Sequence, residues 1–313
     1  MARVCDRHGK TYLLRTFGNS VPNSGHEVWD VSDPATPHKA STVVTGLTST
    51  HKNFWECDTG IAYLISGDLA KANPLQVGAS GWRTGRMTKI YDLSDPTKPV
   101  FIRDFGLHGQ EPGSTGKPPG DNGLHGPVST GPQGNRVYFA YGYVRDGVVQ
   151  IVDREKLLKG PTEPTEANLL YPQISRMDLP PNVGAHNVFP LLGMPIAEFA
   201  KEKDNLRDML VIVDEATGRD CAASARAMMW IADITTETKP FGVANWTVPE
   251  ASGNYCGRGA GRFGTHSTHE NFSPIYYNRI MFVAHFNAGV RAVDVRDPFH
   301  PKEIGHPRPS RPR

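Results

Sequence analysis

Cysteine is scarce in this chain of 313 residues, and the four that occur, Cys5, Cys57, Cys221 and Cys256, form no C-x-x-C pair. That spacing argues against a zinc knuckle or a redox dithiol and leaves room for one disulfide, although dispersed cysteines suit a reducing compartment equally well. No run of about 18 apolar residues occurs, so no membrane-spanning helix is expected. The segment Met1-Ala2-Arg3-Val4-Cys5-Asp6-Arg7-His8 lacks the apolar centre of a signal peptide. The expectation is a cytoplasmic protein, with a mature secreted or periplasmic form as the alternative. Charge of one sign is also lacking. Net charge is +2 with signs mixed, which leaves no footprint for nucleic acid or an acidic membrane. A small molecule is the expected partner, and oligomeric state stays open. There is no G-x-S-x-G elbow. Gly257-Arg258-Gly259-Ala260-Gly261-Arg262 is rich in glycine but precedes no helix pattern, so it reads as a flexible loop rather than a phosphate cradle.

What the chain does have is repetition. Val28-Trp29-Asp30-Val31-Ser32-Asp33-Pro34 is echoed by Ile90-Tyr91-Asp92-Leu93-Ser94-Asp95-Pro96 and by Ala292-Val293-Asp294-Val295-Arg296-Asp297-Pro298. Weaker copies end at Asp153 and Asp233. The anchoring aspartates recur about every 61 residues with one longer step, a period that marks an array or ring of similar units. Helix-compatible inserts around Met194-Pro195-Ile196-Ala197-Glu198-Phe199-Ala200-Lys201 and around Ala222 to Ala227 account for the longer step. Each unit ends a strand at the aspartate, turns at Ser-Asp-Pro, where proline forbids a ladder bond, and starts another strand. Two further strands precede the aspartate, giving four per unit. The 32 glycines and 26 prolines suit short strands joined by many turns. The expected fold is an all-β propeller, one domain over residues 1–313, with five four-stranded blades by repeat count; six or seven would need degenerate copies. The chain ends are expected to meet in one shared blade, with the first strand of the first unit reduced or absent.

The signature V-D-V-S-D-P-x-x-P, carried by residues 29–37, 91–99 and 293–301, resembles the LVIVD-repeat proteins, a group of bacterial and archaeal β-propellers. Residues 278–294 and His186-Asn187-Val188 are similar, more faintly, to the selenium-binding-protein and methanethiol-oxidase propellers. These resemblances imply the fold; they do not carry an activity.

Histidines supply the candidate chemistry. Ser49-Thr50-His51-Lys52-Asn53-Phe54 recurs as Ser267-Thr268-His269-Glu270-Asn271-Phe272, and His125 and His186 open their units comparably. In a propeller the first strand of each blade lines the central channel, so His51, His125, His186 and His269 are expected to converge there as ligands of a divalent transition metal: iron, copper or zinc. The alternative is a histidine copied by descent that caps a strand in each unit. His266, His285 and Glu56 are the candidate catalytic groups, and Glu56, Glu270 and Asp214 could orient an imidazole through its second nitrogen. His8, His38, His300 and His306 are expected to be peripheral. The insert at residues 66–87, with Trp82, Arg83 and Arg86, is expected either over one channel mouth or as an ordinary surface loop. An all-histidine site suits iron or copper, so the expected function is a metal-dependent oxidoreductase or oxygenase acting on a small organic substrate. The alternatives are a metal-dependent hydrolase or lyase, and a non-catalytic scaffold that binds a protein.

Overall fold

The computed structural model of the chain describes residues 2–19, 21–67, 80–115, 123–196, 205–216, 227–251 and 262–306. Among these, five four-stranded antiparallel sheets form, each from strands consecutive in the chain. The first sheet holds β1 (Ala2–Arg7), β2 (Lys10–Phe17), β3 (Ser24–Asp30) and β4 (His38–Leu47). The second holds β5 (Ser49–Trp55), β6 (Ile61–Gly67), β7 (Met87–Asp92) and β8 (Val100–Phe105). In the third are β9 (Leu124–Ser129), β10 (Arg136–Tyr141), β11 (Val148–Asp153) and β12 (Gln173–Asp178). The fourth comprises β13 (Asn187–Pro195), β14 (Leu206–Val213), β15 (Met229–Asp233) and β16 (Phe241–Trp246), and the fifth β17 (Gly264–Thr268), β18 (Ile280–Phe286), β19 (Gly289–Asp294) and β20 (Lys302–Gly305). The fold is all-β and propeller-like. Of the inserts expected around residues 194–201 and 222–227, Met194 and Pro195 belong to β13, and residues 197–201 and 222–226 lie outside the described residues.

All five repeat aspartates close the third strand of a sheet. Their carboxylates explain the motif. Asp30, Asp92, Asp233 and Asp294 each accept a bond from the backbone N–H two residues on, at 3.0, 2.7, 2.8 and 3.0 Å. This bond closes the turn toward the fourth strand. Asp153 departs from the pattern because it caps a helix instead, accepting from the Lys156 N–H at 2.9 Å at the start of Arg154–Lys159. The degraded copy is thus a diverted one.

Among the described residues the first and last strands do not share a sheet. Residues 2–47 build a complete sheet, with β1 paired to β2 along its whole length, and β17 to β20 build another. The expectation of a shared blade is corrected: the short His8-Gly9 turn, both residues at positive φ, lets the first segment fold back as a strand of its own.

The chain divides into two compact units, residues 1–142 with 150–174, and residues 143–149 with 175–313. In the first unit Leu14, Val28, Trp55, Ala62, Leu64 and Leu93 pack into one core cluster. A Cys5–Cys57 disulfide ties β1 to the turn that follows β5. Closing a loop of 52 residues restricts the unfolded chain by about 4 kcal/mol on the chain-entropy model. Trp82, from the 66–87 insert, is buried, and Arg86 donates from Nε to Ser49 Oγ (3.1 Å) and from Nη2 to Asn19 Oδ1 (2.8 Å). Residues 68–79 of that insert lie outside the described residues.

Candidate metal centre

The first strands of three sheets carry an irregularity at a histidine. In the second sheet Thr50 faces Ser66 and Asn53 faces Leu64, so β5 holds one residue too many around His51. In the third, Leu124 faces Tyr141 while Gly126 faces Ala140, and His125 is the extra residue. In the fifth, Thr265 faces His285 while Ser267 faces Ala284, and His266 is the extra residue. A bulge re-aims its side chain and leaves the ladder locally unpaired. In the fourth sheet His186 stands just ahead of β13, its N–H donating to the Val213 carbonyl at 2.7 Å.

Register fixes which histidines correspond. Asp92 pairs with Ile61 and Asp294 with Ile280. Counted from those partners, Ser66 and His285 are equivalent, and so are Thr50 and Thr265. His51 therefore matches His266, not His269. The six-residue string that recurs at His269 is displaced by three residues, and its second half runs past the end of β17.

In the second unit this geometry assembles a cluster. One donor atom each from His186, Glu215 and His266 lie within 4.8 Å of one another. Glu215 stands between the imidazoles: its Oε2 is 3.9 Å from His186 Nε2, and its Oε1 is 3.9 Å from His266 Nε2. The two rings are 4.6 Å apart between centroids. Two ligands each about 2.1 Å from an ion can be separated by up to about 4.2 Å, so these spacings suit a shared cation. Two imidazoles and a carboxylate are also a donor set for zinc or for non-haem iron. His186 is buried, whereas the His266 side chain is 41% exposed, so the cluster opens to solvent on one side.

The residues behind the cluster are clamped. Asp214 Oδ1 accepts from the Met228 N–H at 2.7 Å and lies 3.0 Å from Thr265 Oγ1. The Glu215 N–H donates to the Tyr143 carbonyl at 2.8 Å, and the Ala216 N–H to the Thr265 carbonyl at 3.0 Å. Burial pushes the Asp214 carboxyl up to about 7 despite those bonds. Arg262 Nη1 donates to Glu215 Oε1 at 3.0 Å, and its guanidinium lies 5.1 Å from the Phe286 ring centre. Phe286 in turn contacts the His266 ring at 5.0 Å.

In the first unit, His51 and His125 place their rings 4.1 Å apart. Among the described residues no group of three metal-type donors includes His269 or His285. His269 is built into the strand end: its N–H donates to the Phe282 carbonyl (3.1 Å), and its Nδ1 accepts from the Phe282 N–H (3.0 Å). Its ring packs on Phe189 and Phe282, and burial holds its pKa below the ordinary imidazole range. His285 is buried against Phe263, also with a lowered pKa from burial, and its Nδ1 bonds the Phe286 carbonyl.

Glu56 orients no imidazole. Oε1 accepts from Tyr63 Oη (3.0 Å), Ser129 Oγ (2.6 Å) and Arg154 Nε (2.8 Å), and Oε2 from Thr59 Oγ1 (2.5 Å) and Arg154 Nη2 (2.6 Å). Burial alone would raise the Glu56 pKa; the bonds from Arg154, Ser129 and Thr59 outweigh it and hold the carboxyl below its ordinary value. A carboxylate so engaged has no lone pair left for a substrate proton. His38 and His300 are exposed, and His306 is half-exposed. Sequence reasoning missed Glu215. The run Leu210-Val211-Ile212-Val213-Asp214 leads straight into it, but no spacing relates it to His186 or His266.

No protein-family model matches the chain, and no curated protein matches it. Similar solved structures exist. A periplasmic gluconolactonase from Pseudomonas aeruginosa aligns over 95% of this chain and 68% of its own, with a TM-score of 0.54 at 9% identity. A candidate 6-phosphogluconolactonase from Bacteroides fragilis aligns over 96% of this chain and 68% of its own, with a TM-score of 0.52 at 9% identity. A chain of the COPII outer coat vertex on membranes gives a TM-score of 0.53 at 10% identity, and this protein spans 64% of its length. At such identities the likeness is one of fold. The expectation of an oxidoreductase is corrected by the names of the enzymes found at similar fold. Two enzymes of similar fold are lactonases by name.

Proposed function

We propose that this protein is a metal-dependent hydrolase of a small cyclic ester, with His186, Glu215 and His266 holding a divalent ion. The observation that carries this reading is the convergence of those three donors within 4.8 Å on a side of the second unit that is partly open to solvent. The lactonase activity named for two proteins of similar fold supports the substrate class. When bound, a divalent ion in such a set supplies an acidified water and a polarising centre for an ester carbonyl. The chain's own residues define the rest. Glu215 is held by the Tyr143 carbonyl and by the Asp214–Thr265 contact beside it, His186 by its N–H bond to the Val213 carbonyl, and His266 and Arg262 face the side from which substrate approaches. Zinc is favoured over copper because a carboxylate replaces one imidazole in the donor set.

The test combines elemental analysis with a lactone assay. The purified chain, reconstituted with zinc, is expected to hold about one ion per chain and to release acid from glucono-δ-lactone, with Glu215→Gln losing about 100-fold in rate or more. Metal content below about 0.1 per chain after reconstitution sinks the proposal. It would favour the second reading, a protein-binding scaffold, for which the likeness to a coat-vertex chain is the supporting observation. The Cys5–Cys57 bond supports an oxidising compartment, secreted or periplasmic, over the cytoplasm. Alkylation of the native protein without reductant should leave Cys5 and Cys57 unmodified.

A further inference from the structure

We propose that Arg262 anchors an anionic group, a carboxylate or a phosphate, on the substrate of this centre, an inference that rests on the reading of the cluster as a metal site. Within the cluster Arg262 serves as the cation of Glu215: one donor, Nη1, reaches Oε1 at 3.0 Å. Glu215 is the only charged ligand of the three. An ion of charge 2+ held by two neutral imidazoles and one carboxylate, with a guanidinium alongside, carries a surplus of about two positive charges. The neighbouring carboxyl, Asp214, is committed to Thr265 Oγ1 and the Met228 N–H. Among the described residues neither Asp214 nor Glu215 offsets that surplus, which gives an anion from solvent a role at the loaded centre.

The pose of Arg262 suits that task. Its guanidinium lies over the Phe286 ring, and Phe286 rests on His266, so the planar fork is held beside a metal ligand rather than waving in solvent. Apart from the bond to Glu215, its donors bond no other group among the described residues, and the side chain is 38% exposed. Guanidinium presents paired donors that match two oxygens of a carboxylate or phosphate, a geometry an ammonium group lacks. An anion there would stand within one substrate's length of the ester bond that His186, Glu215 and His266 address.

The zinc-loaded full chain is titrated calorimetrically with inorganic phosphate and separately with acetate, in wild type, Arg262→Gln and Arg262→Lys. Glucono-δ-lactone and its 6-phosphorylated form are then compared by kcat/KM. Wild type is expected to bind at least one of the two anions, with affinity falling about tenfold or more in Arg262→Gln and recovering only in part in Arg262→Lys, zinc content being equal in all three. Preference for phosphate over acetate assigns a phosphorylated substrate, and the reverse assigns a carboxylate. A phosphate-selective wild type should favour the phosphorylated lactone about tenfold or more, with the preference lost in Arg262→Gln. Anion affinity unchanged in Arg262→Gln overturns the proposal, as does loss of zinc from that variant, which would make Arg262 part of the metal's support. Arg262-dependent anion binding without turnover of either lactone would leave the anchor standing and remove the hydrolase reading. A chain that takes up no zinc overturns both.

Discussion

Thr265 Oγ1 stands 3.0 Å from both the carbonyl oxygen and the carboxylate Oδ1 of Asp214. Thr265 immediately precedes His266 and Asp214 immediately precedes Glu215, so this contact sets the distance between two donors of the candidate centre. Thr265→Val keeps the shape and removes the hydroxyl. Zinc affinity should fall about 10- to 100-fold, the usual effect of losing a group that orients metal ligands. Thr265→Ser should restore it to within about threefold, because only the hydroxyl is needed. Competition against a chromophoric chelator measures both, and circular dichroism confirms that each variant is folded. Equal affinity in the valine variant would show that the clamp plays no part in the site.

His266 and His269 separate two accounts of the same sequence. His266→Ala should lower metal affinity at least about tenfold. His269→Ala should leave metal affinity unchanged and cost about 1 kcal/mol of stability, because it leaves the part-buried Phe282 N–H without its imidazole acceptor. Metal loss in the His269 variant alone would restore the repeated string as the better guide.

That pair also shows what the sequence makes legible. The aspartate turns can be read from Ser-Asp-Pro, because a local side-chain bond two residues long defines them; Asp30, Asp92 and Asp294 behave alike for that reason. The strands between them follow from alternation and the repeat. The site is harder. His186 has a recognisable place, but the match between His51 and His266 depends on one-residue bulges in β5 and β17, which leave no mark in composition. String identity points three residues away, to His269. Glu215 is invisible from spacing because its approach to His186 and His266 is set by pairing between strands far apart in the chain.

Glu56 and Arg154 form a buried pair with side chains 2% and 10% exposed. Arg154→Met should destabilise by about 3–5 kcal/mol, because it strands a carboxylate among Tyr63, Ser129 and Thr59. The double variant Glu56→Gln, Arg154→Met should cost less than Arg154→Met alone. Urea denaturation of the three proteins gives the comparison. Activity per folded molecule in Glu56→Gln should stay within about twofold, whereas loss of a catalytic acid or base would lower it by about 100-fold or more. A fall of that size with stability intact would return Glu56 to the catalytic machinery.

His26 predicts how the first unit responds to acid. Its ring is fully buried, with Nε2 donating to the Ile65 carbonyl (3.0 Å) and Nδ1 paired with Thr16 Oγ1 (3.0 Å), which in turn accepts from Asn53 Nδ2 (2.7 Å). This arrangement satisfies a neutral imidazole, and a second proton would have to displace the Thr16 contact. Burial lowers the pKa to about 4, against the opposing bond to Ile65. Because the folded pKa lies below the ordinary 6.5, the unfolded chain takes up a proton that the folded chain refuses. Stability should therefore be unaffected by this group above pH 6.5, fall as pH drops from 6.5 to about 4, and level off below that, losing about 3 kcal/mol over the window. Subtracting the pH profile of His26→Gln from that of wild type isolates the contribution from the carboxylates that titrate nearby in pH. An imidazole resonance of His26 that titrates near 6.5 in the folded protein would refute the argument, because it would place a charged ring where only a neutral one is satisfied.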